Sequence, residues 1–318
     1  MAGPAPLVSI PEAPVPQGGQ AEWIDGRGAA RLRAALFAPA GPARGSVVLS
    51  PGRTEPIEKY FEVVGELQAR GFAVLTHDWR GQGLSHRMLG DRLKGHAEAA
   101  DDFALDYRAM LDAFAGRAPQ PWLGFAHSMG GALVLSALVQ GESRLRALFM
   151  TAPMLGVATG PAPAWLASIV SALMGAVGRS GAYALRAVDP AHEPFEGNPL
   201  THDRGRFERY RAQLRACPEL ALGSPTWGWL RAALSVTATL ARAGALEALA
   251  LPAVLVAAEE ERLVLNAVAR AAARRLPNGR YLEIAGARHE LMMETDARRA
   301  EVWAAFDALA AEVSSPRA

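Results

Sequence analysis

Leu123-Gly124-Phe125-Ala126-His127-Ser128-Met129-Gly130-Gly131 decides the fold. It sets one serine between an apolar run at 121–125, read as a strand, and a helical pattern at 129–140 with Leu133, Leu135, Leu138 and Val139 as its apolar positions. A sharp strand-to-helix turn forces its central residue into strained backbone, so the residues two before and two after must be small. Ala126 and Gly130 meet that requirement, with Ala126 standing where glycine is usual. Ser128 Oγ is then expected at the carboxyl edge of a sheet, with helix-start N–H groups aimed at any oxyanion formed beside it. A serine that merely caps a buried helix has the same local look. The order of partners separates the two readings, because in a triad built on such an elbow an acid and then a histidine follow the serine. The buried-strand run at 253–258 ends in Glu259-Glu260-Glu261-Arg262, and a second strand at 281–284 leads into Gly286-Ala287-Arg288-His289-Glu290. Both sets lie just past strand ends, where loops carry chemistry. The order is met.

Composition sets the frame. The chain of 318 residues is 50% hydrophobic, enough for a sizeable core in one large or two modest domains. A net charge of +1 gives no argument for nucleic acid or a strongly acidic partner. Lysine occurs only at Lys59 and Lys94, a bias toward arginine that reads, with abundant alanine, as GC-rich coding. Cys217 is the sole cysteine, so no internal disulfide forms, and it reads as a packed or surface thiol. Pro4, Pro6, Pro11, Pro14 and Pro16 open the chain without a basic or long apolar run. That pattern predicts no secretory signal and a cytoplasmic location. Residues 1–20 read as an extended arm, on the surface or disordered. The usual nucleotide-binding glycine motifs do not occur.

Strands are predicted at 32–37, 46–50 and 72–76, with a helix at 57–70. A polar loop at 77–95 precedes a helix ending near 115, whose inner side carries Phe103, Tyr107, Met110, Leu111 and Phe114. A strand at 145–151 follows the serine, the pattern resumes at 253, and a helix at 296–312 closes the chain. Strands alternating with crossover helices predict an α/β fold, a doubly wound and mostly parallel sheet. The interruption at 155–245 is helical and too long for a loop. It is predicted to be a cap over the serine, inserted into a core formed by 21–154 and 246–318.

Several separated motifs carry a resemblance. They are Ser50-Pro51-Gly52-Arg53-Thr54-Glu55 with Glu58-Lys59-Tyr60, then Asp78-Trp79-Arg80-Gly81-Gln82-Gly83-Leu84-Ser85, then the elbow Ala126-His127-Ser128-Met129-Gly130-Gly131. Within the cap, Asn198-Pro199-Leu200-Thr201-His202-Asp203 and Pro225-Thr226-Trp227-Gly228-Trp229-Leu230 join them. With these the chain resembles the α/β-hydrolase superfamily, in its lysophospholipase and monoacylglycerol-lipase-like branch. The resemblance implies that Ser128 attacks an ester carbonyl, that His289 moves the proton, and that an acid orients the imidazole. It implies an oxyanion hole from the backbone N–H groups of Arg53 and Met129, and no metal or organic cofactor. The family frame Gly-x-Asp-Arg-x-Val, set in register on Arg262 and Val264, assigns the acid to Glu261, with Glu259 and Glu260 as alternatives. The substrate implied is a lysophospholipid first and a monoacylglycerol second, a broad carboxylesterase being the wider reading. A peptidase is a further enzymatic alternative, and a non-catalytic lipid-binding descendant of the fold is the competing class.

The remaining candidates divide by environment. His127 is expected to point away from the nucleophile, and Asp78 and Arg80 to lock their loop. His202 and Asp203 read as cap structure, and the run Arg204, Arg206, Arg209, Arg211 and Arg215 as a solvated helix face. No charged residue occurs from 147 to 178, and inside that span Trp165, Leu166 and Ile169 belong to a nearly all-apolar helix. It reads as a lid that contacts acyl chain and membrane, or as a helix sandwiched between cap and core. Trp227 is a further substrate-binding candidate in the cap. The Arg53 guanidinium is expected either to meet a head-group phosphate or to bridge to Glu55 or Glu58.

Overall fold

Runs of small and β-branched apolar residues build the middle of a sheet with nine strands among the described residues. The computed structural model describes residues 3–160 and 163–314. Met1, Ala2, Pro161, Ala162 and 315–318, assigned above to arm, cap and core, lie outside the described residues. The strands are β1 (Gly3–Pro4), β2 (Gly19–Asp25), β3 (Arg31–Phe37), β4 (Ser46–Ser50), β5 (Ala73–His77), β6 (Trp122–His127), β7 (Leu145–Thr151), β8 (Ala253–Ala258) and β9 (Gly279–Ile284). Their order across the sheet is β1-β2-β3-β5-β4-β6-β7-β8-β9. The pairs β1–β2, β2–β3 and β3–β5 are antiparallel, and all later pairs are parallel. Strands β4, β5, β6 and β8 are buried along their whole length, as central parallel strands covered by helices must be.

The helices α1 (Phe61–Ala69), α2 (Asp101–Phe114), α3 (Met129–Val139), α7 (Asn266–Arg275) and α8 (Asp296–Ser314) pack on this sheet. Beneath the elbow, Phe125 of β6 packs on Phe149 at 5.0 Å and on Phe306 at 5.5 Å between ring centroids. Between β7 and β8 the chain forms α4 (Ala164–Ala176), α5 (Arg204–Ala216) and α6 (Trp227–Ala241). The predicted α/β architecture with a mostly parallel sheet is the observed one.

The structure departs from the sequence reading at one helix start and adds detail at two other places. The helix at 57–70 starts as a 3-10 turn over Ile57–Tyr60, and α1 proper begins at Phe61. That turn draws Glu58, Lys59 and Tyr60 all inward, which one face of an α-helix could not do. Helix α7 gives little apolar signal in the sequence, because its buried face is only Ala269, Ala272 and Ala273. The N-terminal arm is anchored: β1 pairs with β2, Ala5 N–H reaches Ala21 at 2.8 Å, and Ile10 and Ala13 are buried.

An ion cluster explains that anchoring. Arg33, fully buried on β3, donates to both Glu58 oxygens at 2.7 Å and to Asp78 at 2.8 Å. Its remaining reach goes to Pro6 O at 3.0 Å, and Glu58 also accepts Val8 N–H at 3.1 Å. Asp78 in turn accepts the N–H groups of Ile57 and Leu84. One guanidinium therefore ties the arm, β3, the 3-10 turn and the loop after β5. Arg33→Met strands two buried carboxylates and is expected to cost about 3–5 kcal/mol. Urea denaturation measures it, and a loss under about 1 kcal/mol would contradict the account.

Candidate active site

The elbow is built from backbone constraint upward. Ser128 sits at φ 49 and ψ −116, a left-handed conformation that a side-chain-bearing residue adopts only when its surroundings impose it. The impositions are visible. Ser128 donates its N–H to Thr151 O at 2.9 Å, and its carbonyl accepts from Gly131 and Met154. A Cβ at Gly130 would lie 2.4 Å from Ser50 O, and one at Gly131 would lie 2.9 Å from Pro153 Cβ. Only glycine lets α3 start this close to β4 and to the strand end of β7.

The three elements predicted to bear chemistry converge. His289 Nε2 stands 2.9 Å from Ser128 Oγ, and its Nδ1 stands 2.7 Å from Glu261 Oε2. An ionised Glu261 makes Nδ1 the protonated nitrogen, which leaves Nε2 as acceptor toward the hydroxyl. The second Glu261 oxygen accepts the N–H groups of Arg262 at 2.9 Å, Leu263 at 2.8 Å and Val264 at 3.3 Å. Burial opposes ionisation of Glu261, but the His289 contact and these backbone donors outweigh it and hold the carboxyl below its ordinary range. Of the three glutamates, Glu261 is the one whose carboxylate faces His289. Glu259 accepts Gly286 N–H at 2.7 Å, while Glu260 faces His202 at 3.3 Å and Arg288 at 3.4 Å.

A second buried network shapes the loop facing the serine. Glu55 accepts Gly52 N–H at 2.6 Å, Tyr60 O–H at 2.7 Å and Lys59 Nζ at 2.8 Å, and Lys59 also reaches Glu290 beside His289 at 2.5 Å. Burial pushes the Glu55 carboxyl up, yet Lys59 and the other partners draw it down to about 2. The loop it holds runs hard against the nucleophile: a Cβ on Gly52 would lie 3.2 Å from Ser128 Cβ. Arg53 follows Gly52 directly, and Met129 opens α3 with one of the helix's unsatisfied N–H groups.

Other predicted residues sort cleanly. His127 does not turn away. Its ring lies 4.9 Å from the His289 ring and bonds Thr151 through Nδ1 at 3.0 Å, and burial lowers its pKa. Asp78 and Arg80 do lock their loop, Arg80 through a paired contact to Asp106 at 2.6 and 2.8 Å. His202 bonds Glu294 at 2.8 Å and Asp203 caps α5 through Arg206 N–H, both structural. Arg53 bridges neither Glu55 nor Glu58: it donates to Gly223 O at 2.5 Å and lies over Trp229 at 5.0 Å. Trp165, Leu166 and Ile169 are exposed on α4 and Trp227 is half-buried at the start of α6. A sandwiched α4 is excluded, because among its residues only Ser171 is buried.

A cavity of about 420 Å³ lies beside the loops around the serine, bordered by Arg53 and Thr54, by Pro199 and Leu200, and by Leu263. Pro199 and Leu200 supply the carbonyls that accept from the N–H groups of His289 and Glu290, so cavity and triad share a wall. Trp165, Leu166, Ile169 and Trp227 do not line it. Larger hollows of about 540 and 700 Å³ lie under the N-terminal arm, away from Ser128. Glu261→Gln should keep the fold and lose on the order of a thousand- to ten-thousandfold in kcat on a soluble ester. Glu259→Gln and Glu260→Gln should leave turnover largely intact, and three equal small effects would place the acid elsewhere.

Residues 41–296 match the hydrolase family described as Serine aminopeptidase, S33. The chain is 36% identical over 265 residues to lysophospholipase L2 of Escherichia coli, covering 80% of this chain and 76% of that one. It is 26% identical over 272 residues to a probable lysophospholipase L2 of Haemophilus influenzae, covering 84% of each. A soluble variant of the Saccharomyces cerevisiae monoglyceride lipase, solved with a substrate analog, superposes with a TM-score of 0.73 at 17% identity, over 98% of this chain and 100% of that one. The likeness to that structure shows the α/β-hydrolase fold. With the family match covering most of its length and a lysophospholipase L2 relative above one-third identity, this chain belongs to the serine-hydrolase family so described, on the α/β-hydrolase fold.

Proposed function

We propose that this protein is a serine ester hydrolase that releases a fatty acid from single-acyl glycerolipids, lysophospholipids before monoacylglycerols. The observation that carries the reading is the continuous relay from Glu261 through His289 to Ser128 at a strained elbow, in a chain related to lysophospholipases. His289 Nε2 takes the Ser128 proton as Oγ attacks the ester carbonyl, and the tetrahedral oxyanion is received by the N–H groups of Arg53 and Met129. Collapse of that intermediate expels the lipid alcohol, which takes the proton from His289. Water then repeats the cycle on the acyl-serine and frees the fatty acid. The intact relay weighs against a binding-only descendant, and the hydroxyl nucleophile against dehalogenase or epoxide-hydrolase chemistry, which needs a carboxylate there.

Substrates with one acyl chain are monomeric or sit at a bilayer surface, and α4 supplies a matching surface. Trp165, Ile169 and Leu173 are 64%, 49% and 60% exposed, with Leu166, Val177 and Leu185 also open. So large an apolar display marks an interaction face. We place it against the membrane, with 155–245 as a cap over the serine and the protein at the cytoplasmic surface. No described helix is long and apolar enough to cross a bilayer.

Ser128→Ala and His289→Ala should each remove ester hydrolysis by up to about a millionfold, since triad members act as a unit. Near-normal fatty-acid release by either folded variant would refute the assignment. Replacing Leu166 and Ile169 together by Asp should weaken sedimentation with phospholipid vesicles and slow long-chain turnover while short soluble esters still react. Unchanged vesicle binding would leave α4 without a membrane role.

A further inference from the structure

Helix α5 carries five arginines, and all but one are engaged. Arg204 meets Glu196, Arg206 meets Glu62 and Asp296 at 2.6 Å each, Arg209 meets Glu62, and Arg215 donates to Ala191 O at 3.2 Å. Arg211 is different. It is only 4% exposed, and among the described residues no carboxylate or carbonyl is bonded to its guanidinium. Its Nε is buried without a hydrogen-bond partner, and the guanidinium lies over the rings of Phe207 at 4.1 Å and Tyr210 at 5.4 Å. A buried cation held only by aromatic faces is costly unless a counter-charge completes it.

Arg53 shares this condition. Its Nε is likewise buried and unpartnered, and among the described residues its guanidinium bonds Gly223 O and pairs with no carboxylate. Burial and the charge of nearby Arg87 pull its pKa down to about 10, so an anion beside it would relieve both. Arg53 and Arg211 line the same cavity, the one that borders the triad loops. The carboxylates on that wall do not neutralise them: Glu196 is taken by Arg204, and Glu193 is exposed.

Guanidinium forks suit phosphate, which they can grip with two parallel N–H bonds. A lysophospholipid carries its phosphate a few bonds from the scissile ester, so an Arg53 backbone N–H at the carbonyl would bring the Arg53 side chain close to the head group. We infer that this cavity is a phosphate subsite in which Arg53 and Arg211 hold the head-group phosphodiester of a single-acyl phospholipid. The inference rests on the ester-hydrolase reading and makes Arg211 a residue that sets substrate preference.

The test compares kcat/KM on acyl-matched lysophosphatidylethanolamine and monoacylglycerol for the wild type, Arg211→Gln and Arg211→Lys. Loss of a charged contact predicts that Arg211→Gln lowers the phospholipid-to-neutral-lipid ratio about 10- to 100-fold, with partial recovery in Arg211→Lys. An unchanged ratio in a variant with wild-type Tm overturns the inference. A second measurement needs no variant: competition against hydrolysis of a short soluble ester by glycerophosphoethanolamine, inorganic phosphate and glycerol. The phosphodiester should inhibit and glycerol should not. Inhibition by inorganic phosphate as strong as by the diester would assign a free-anion site and overturn the head-group assignment, as would no inhibition by either. Wild-type protein that hydrolyses a short soluble ester but neither lipid would instead refute the single-acyl-lipid reading, with the competition data still reporting on the cavity.

Discussion

Everything at the site depends on the backbone of Ser128 being held where a residue with a side chain resists going. The left-handed turn at φ 49 is tolerated because β6 delivers it, α3 leaves it at once, and neighbouring backbone closes around it. Gly130 and Gly131 make that closure possible, since any side chain there would collide with β4 or with Pro153. The strain has a use. It lifts Oγ off the sheet edge toward His289 and turns the start of α3 toward the same spot, so the proposed nucleophile and one proposed oxyanion donor come from a single constraint.

Two buried ion networks brace this geometry from either side. Arg33 joins the N-terminal arm to the loop after β5, through Glu58 and Asp78. Lys59, from the same 3-10 turn as Glu58, joins Glu55 to Glu290, and so couples the loop before the serine to the loop that carries His289. Neighbouring residues thus serve separate networks, which is why that segment winds as a tight turn before α1. Buried pairs of this kind add little net stability against apolar replacements, but they specify one arrangement of loops.

How much of this the sequence discloses follows from how local each signal is. The elbow is legible because its demand for small residues falls within five positions, and the strand runs at 46–50, 145–151 and 253–258 were legible because buried parallel strands are continuous apolar runs. Glu261 is reached in the sequence only through the family frame that the resemblance supplies, and the fold adds which of the three carboxylates faces His289. The arm's anchoring was hidden because its partner, Arg33, lies in a strand where an arginine reads as outward-facing. Arg211 was hidden for the converse reason: a run of arginines on a helix looks like a solvated face, and only the fold reveals which member turns inward. His127 departs from its expected direction because the sharp turn brings its ring to that of His289.

The account's central claim is that the relay at Ser128 serves esters of single-acyl lipids. Its most direct test is fatty-acid release by the purified protein from a panel matched in acyl chain: lysophosphatidylethanolamine, monoacylglycerol, diacyl phosphatidylethanolamine and an aminoacyl p-nitroanilide. The account predicts rapid release from the two single-acyl lipids, fastest from the lysophospholipid, with little from the diacyl lipid and little cleavage of the anilide. Absence of fatty-acid release from both single-acyl lipids, or anilide cleavage exceeding it, would contradict the account.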